Sequence, residues 1–267
     1  MELVDRQLFW IIGGLFGLIF GSAINAYVWR LKVNRSWTKG RSECSDCGHE
    51  LGAKDLIPVL SWLVLGGKCR YCQKPIQDRP AVELMTALVL GLSWYTLAPS
   101  GLEGWVRLGF WTAIAILLIV LAVYDAQWLI LPNTVMWPLV ATSAVYVVVM
   151  STLMRDPQVL FGALAASSVA GGAFFVLVAG TRGKGMGGGD IKLAFAMGLI
   201  LGAQATAVAM LLAFNVAAIV GVAMIVFKKR GRRDPIPFGP YLVGGTIVAF
   251  LFGRQMVTYY LQLNGLS

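Results

Sequence analysis

The sequence predicts an all-α polytopic membrane protein: about eight transmembrane helices with a small cytoplasmic zinc-binding loop domain. Three observations predict it. Of 267 residues, 58% are hydrophobic and only 13% are charged, with a mean hydropathy of +0.73; soluble domains carry about a quarter charged. Eight apolar runs are long enough, or nearly so, to cross about 30 Å of hydrocarbon. The Lys and Arg residues fall overwhelmingly in alternate loops, as cytoplasmic cations do.

The first run covers residues 8–29. Met1 to Gln7 sets Glu2 and Asp5 against Arg6. It therefore lacks the basic flank of a cleaved signal, and the run reads as a retained span. Residues 31–80 follow as one long polar stretch. Further runs occupy 81–98, 108–127, 134–154, 158–180, 189–202, 204–227 and 238–262. The sixth is the shortest, and only Gly202 and Ala203 part it from the seventh. With 31–80 on the inside, 18 Lys and Arg face the cytoplasm and four face out, namely Arg6, Arg107, Arg155 and Arg254. Both termini are then outside. The basic KKRGRR at 228–233 reads as a cytoplasmic anchor. The net charge of +9 follows from these loops. It calls for a lipid bilayer as partner, not nucleic acid. The chain divides into a first helix (1–30), a cytoplasmic loop domain (31–80) and a membrane domain (81–267).

All four cysteines lie in the loop, as Cys44-Ser-Asp-Cys47 and Cys69-Arg-Tyr-Cys72. Two CxxC knuckles present four thiolates tetrahedrally to zinc. Two disulfides are the alternative, which a reducing cytoplasm disfavours. Four sulfur ligands leave no open position for water, so the metal is structural. A loop of about fifty residues also buries too little core to hold itself. His49, the single histidine, reads as a solvated loop residue.

Three acids stand at the ends of apolar runs: Glu83, Asp125 and Asp190. Asp125 closes the third run in LAVYDAQWLILPN, where the helix dipole disfavours an acid. Asp190 opens the sixth, within GMGGGDIKL (185–193). Ionisable groups in such places are costly and are candidate functional residues. Two carboxyls at one membrane depth, one ionised and one protonated, can activate water and polarise a carbonyl. The glycines at 187–189 free the backbone for close approach of a peptide. Alternatives stand beside this. Asp190 is also a plausible helix cap, and a proton-coupled transporter uses membrane acids too. Such a transporter carries inverted repeats with broken helices, and no internal symmetry is visible here.

The motifs together resemble the bacterial type IV prepilin peptidases of the GxGD aspartyl protease group. GLIFGSAINAYVWRL (17–31), the CxxC…CxxC loop enclosing IPVLSW (57–62), ELMTAL (83–88), YDAQWLILPN (124–133), GMGGGDIKL and PFGPYL (237–242) occur in the family's order. The resemblance implies a membrane aspartyl endopeptidase that is also an N-methyltransferase. Asp125 and Asp190 would be its catalytic pair. Gly187, Gly189 and Lys192 would belong to the active-site turn that meets substrate. The implied substrates are prepilins of type IV pili or pseudopilins of type II secretion. Their short basic leader is cut after Gly at the cytoplasmic face of the bacterial inner membrane. The new N-terminal residue, usually Phe, is methylated from S-adenosylmethionine.

The methyl-transfer half is linked in the family to the N-terminal region and the cysteine loop. No Gly-rich strand–helix loop of the Rossmann type is present, so the methyl donor binds in another way. Asn25 and Arg30 match the N-terminal motif and are its candidate contacts. Arg30 is equally placed to snorkel from a helix end. One departure concerns Gly188, where the family often carries a bulky or aromatic residue.

Overall fold

A computed structural model describes residues 3–36, 40–76, 80–181, 183, 186–227 and 235–264. The KKRGRR segment lies outside the described residues, as does Gly185 of the GMGGGDIKL turn. Eight α-helices are present among them: α1 Leu3–Lys32, α2 Leu60–Val64, α3 Ala81–Thr96, α4 Gly101–Trp128, α5 Asn133–Met154, α6 Pro157–Gly180, α7 Gly188–Val226 and α8 Gly239–Leu263. Six are long and apolar enough to cross a membrane. The chain is a multi-pass membrane protein.

The helix α7 has 39 residues. At 1.5 Å per residue it would be about 58 Å long, twice the hydrocarbon thickness. Gly202 breaks it, with φ 69° and ψ −177°. This divides the sixth and seventh apolar runs where the sequence parts them. The second run is shorter than expected. The helix α3 stops at Thr96, three residues before Pro99, which disfavours helix at the residue preceding it.

The helices form two compact units, one up to Ala98 and one from Pro99. In the first, α1 packs along α3. Gly13, Gly17 and Gly21 recur every fourth residue of α1 and allow very close approach. A Cβ on Gly17 would stand 2.5 Å from Ala87 Cα, and one on Gly21 2.5 Å from Glu83 Cα. Small residues at this spacing are the usual means by which apolar helices associate in lipid.

In the second unit α7 packs against α5, α6 and α8, and α4 against α5 and α8. Backbone approach again sets the packing. Gly198 lies on Ser167 of α6, and Gly245 on the Ala209 carbonyl. Trp111 of α4 stacks on Phe250 of α8 at 3.7 Å and 2°. These packings bring the last turn of α4 and the first turns of α7 and α8 around the two aspartates.

Candidate functional site

Asp125 and Asp190 are both buried, at 5% and 8% exposure. Asp190 sits in the first turn of α7, and its Oδ2 accepts the Gly187 N–H at 3.0 Å. Asp125 sits in the last turn of α4. There its own helix dipole opposes a negative charge. Its Oδ2 instead accepts the N–H of Gly239, the first residue of α8, at 2.9 Å. Each carboxyl thus lies at a helix N-terminus, where backbone donors favour an anion.

The local chain explains this arrangement. Leu129 ends α4 in the left-handed region, φ 57°, and its N–H bonds to the Asp125 carbonyl at 2.8 Å. That turn sends Leu131 against Gly189. A Cβ on Gly189 would stand 2.8 Å from Leu131 Cβ. Lys192 Nζ donates to Asn133 Oδ1 at 2.7 Å and lies 5.3 Å from the centroid of the Trp137 ring. The two aspartate segments are therefore tied by packing and by a hydrogen bond. Gly188 is different: among the described residues, a Cβ there meets nothing within 4 Å. The described surroundings leave space for a larger residue at this position.

The loop brings its four cysteines together. All four Sγ atoms lie within 4.8 Å of one another, and Cys44 and Cys72 are 3.9 Å apart. Tetrahedral zinc with Zn–S of about 2.3 Å sets its sulfurs about 3.8 Å apart, so the donor set fits such an ion. The two knuckles are built alike. Cys44 N–H bonds to His49 O and Gly48 N–H to Cys44 O; Cys69 N–H bonds to Lys74 O and Gln73 N–H to Cys69 O. Gly48 and Gln73 hold the matching left-handed position, at φ 69° and 60°. Backbone N–H groups of Cys72 and Tyr71 draw the Cys69 thiol down to about 7. Cys72 is pushed up to about 11: the Lys74 N–H favours its thiolate, but burial and the neighbouring sulfurs outweigh it. His49 is exposed and lies against Tyr71, 3.6 Å between centroids with the rings tilted by 33°, outside the cysteine cluster.

Asn25 and Arg30 reach the same pocket in the first unit, of about 180 Å³. Trp29, Trp62, Asp55 and Glu83 also line it, and Cys44 and Cys69 form part of its wall. Arg30 donates to the Gly40 carbonyl at 3.2 Å. The Asp55 carboxyl is held below the usual range by the Arg70 guanidinium, which donates to it at 2.7 Å. Glu83 Oε2 accepts the N–H of Val59 at 2.6 Å. Val59 is at φ 62°, a region that β-branched residues rarely enter.

Two family models match the chain. The bacterial peptidase A24 N-terminal domain covers residues 15–97, and the type IV leader peptidase family covers 112–222. The chain is 33% identical to the prepilin leader peptidase/N-methyltransferase of Aeromonas hydrophila, over 92% of each chain. It is 33% identical to the Pseudomonas aeruginosa protein of that name, over 94% of this chain and 93% of the relative. The Bacillus subtilis counterpart is 31% identical, over 93% and 96%. The chain belongs to the type IV leader peptidase family. No solved structure matches it.

Several residues at the family site escape a linear reading. Gly239 was visible only as part of PFGPYL, and nothing local marks it as the donor to Asp125. Leu131 and Asn133 sit in the first aspartate motif without chemistry of their own. Glu83 reads as an acid favoured by the dipole at a helix start, yet its carboxyl also fixes Val59.

Proposed function

We propose that this chain cuts the short basic leader from type IV prepilin or pseudopilin precursors, after its final Gly, and N-methylates the freed N-terminal residue. The observation that carries the reading is the pair of buried carboxyls on α4 and α7, each held by one backbone N–H. Asp125 and Asp190 are the catalytic residues. The ionised partner takes a proton from water, and the protonated partner donates to the scissile carbonyl oxygen. The resulting tetrahedral carbon collapses with loss of the C–N bond, and a proton passes to the leaving amine. Gly187 and Gly189 keep the turn free of side chains where the extended precursor lies, and Lys192 braces that turn through Asn133.

Methylation is the work of the loop domain 31–80 with its flanking helices, and peptide cleavage of the membrane helices that follow. S-adenosylmethionine, when bound, would supply an electrophilic methyl group to the freed amine: the N–C bond forms as the S–C bond breaks, S-adenosylhomocysteine leaves, and the amine gives up a proton. Asn25 and Arg30 are in the pocket suited to hold it. Cys44, Cys47, Cys69 and Cys72 would hold Zn2+, which would order the loop without taking part in either reaction. The excess of Lys and Arg in alternate loops supports a place in the bacterial inner membrane with the aspartates facing the cytoplasm.

One assay tests the whole reading. The purified protein, in nanodiscs, is incubated with a prepilin and S-adenosylmethionine, and the mass of the new N-terminus is read. Loss of the leader with gain of one methyl is expected. Cleavage without methylation would remove the methyltransferase half, and an uncut set of several pilins would remove the peptidase.

A further inference from the structure

We infer that the pocket between α1, the knuckle loop and the start of α3 is the seat of the adenosyl methyl donor, with the indole N–H of Trp62 donating to it. This rests on the methyltransferase reading above and adds the place and the contact. Three observations point there. First, Trp62 Nε1 is buried and has no hydrogen-bond partner among the described residues. A buried donor left unpaired costs about 1–3 kcal/mol, a defect that a purine nitrogen, ribose oxygen or carboxylate entering the pocket would repair. Second, the segment carrying Trp62 is held under strain. Val59, three residues before it, stays at φ 62° with its N–H on Glu83. Strained backbone persists where surrounding structure over-determines it, and such positions cluster at ligand sites. Third, the lining matches a cationic nucleoside that also carries a carboxylate. Glu83 and Asp55 supply anionic oxygens, Arg30 a cation, and Trp29 an aromatic face.

Gly67 is the close neighbour of the Trp62 indole. Gly67 packs on the indole edge, where a Cβ would stand 3.0 Å from the ring and 3.5 Å from Nε1. Gly66 and Gly67 both have positive φ, at 59° and 72°, and a Cβ on Gly66 would meet nothing within 4 Å.

The test is photolabelling of the full-length protein in nanodiscs with methyl-tritiated S-adenosylmethionine, followed by peptide mapping. Calorimetric binding of S-adenosylhomocysteine is measured in parallel. Label is expected in peptides from 22–30 or 56–83, and excess S-adenosylhomocysteine should abolish it. Trp62→Phe should weaken S-adenosylhomocysteine binding by about fivefold or more, the loss of one hydrogen bond. Its thermal midpoint without ligand should stay or rise, because the unpaired donor is gone. A structural tryptophan would show the reverse: lower stability and unchanged affinity. Label confined to the unit from Pro99, for instance in the cavity lined by Arg107, Tyr146 and Gln158, would overturn the inference. So would the absence of saturable binding. If the wild type still methylates its precursor in either of those cases, only the pocket assignment fails. If it cuts but does not methylate, the methyltransferase reading itself fails.

Discussion

The carboxyl of Asp125 accepts the backbone N–H of Gly239, 114 residues further along the chain, at 2.9 Å. This one bond places an acid from the end of α4 at the beginning of α8. It also explains the glycine, since a Cβ there would stand 2.8 Å from Asp125 Oδ2. Pro240 follows it and has no N–H to offer, which leaves Gly239 as the donor nearest the carboxyl.

Replacing either acid by its amide should stop the peptide chemistry. Asp125→Asn and Asp190→Asn each keep an oxygen for the backbone donor, so the fold should persist. Each should cut leader cleavage by about 10³-fold, the usual scale for removing a general acid or base. Full activity in either variant, measured by gel shift of a prepilin, would sink the pair.

The three glycine positions should separate. Gly239→Ala and Gly189→Ala press a methyl group against Asp125 and Leu131. Overpacking of this kind costs about 1–3 kcal/mol, or about 5- to 150-fold in rate if it acts wholly on the transition state. Gly188→Phe enters open space and should stay within about twofold of wild type. Cleavage kinetics on all three, with equal loss at 188, would refute the close-packing account.

Metal analysis should find roughly one zinc ion per chain, as the four-thiolate set requires. Cys69→Ser or Cys44→Ser should release it and expose the loop to limited proteolysis, while leader cleavage is less affected than methylation. Because the ligands bind as thiolates, and Cys72 holds its proton up to about 11 without metal, zinc affinity should rise with pH across the neutral range. Competition with a chromophoric chelator measures this.

Gln73→Gly should stabilise the loop by up to about 1 kcal/mol, because a side chain at φ 60° is strained. The equivalent position of the first knuckle is already Gly48. A lower thermal midpoint for the variant would contradict the matched-knuckle geometry.

The Asp55–Arg70 pair gives the loop an acid dependence. Asp55 titrates below its ordinary value in the folded protein. Its contribution is therefore complete above the unfolded value of about 3.9 and is lost as pH falls through the lower folded value. Asp55→Asn should melt below wild type at pH 7, and the gap should close in acid below about pH 3.9. A gap that persists there would show that the pair is not the cause.

Much of this protein is legible along the chain, because the membrane allows so few solutions. Backbone polar groups in lipid must be satisfied within a helix or a closed barrel, so apolar length alone marks each span. Even the break in α7 falls at Gly202, where a short run meets the next. The CxxC spacing carries the cysteine cluster for the same reason: two local turns define most of its geometry. The Asp190 cap is also local, since Gly187 is three residues away. What tertiary structure alone decided is how distant segments meet. The helix α8 brings Gly239 to Asp125, Leu131 comes to lie on Gly189, and Glu83 holds Val59 across 24 residues. No periodicity encodes these contacts. They follow from which small residues let two helices approach, and that is settled only when the helices pack.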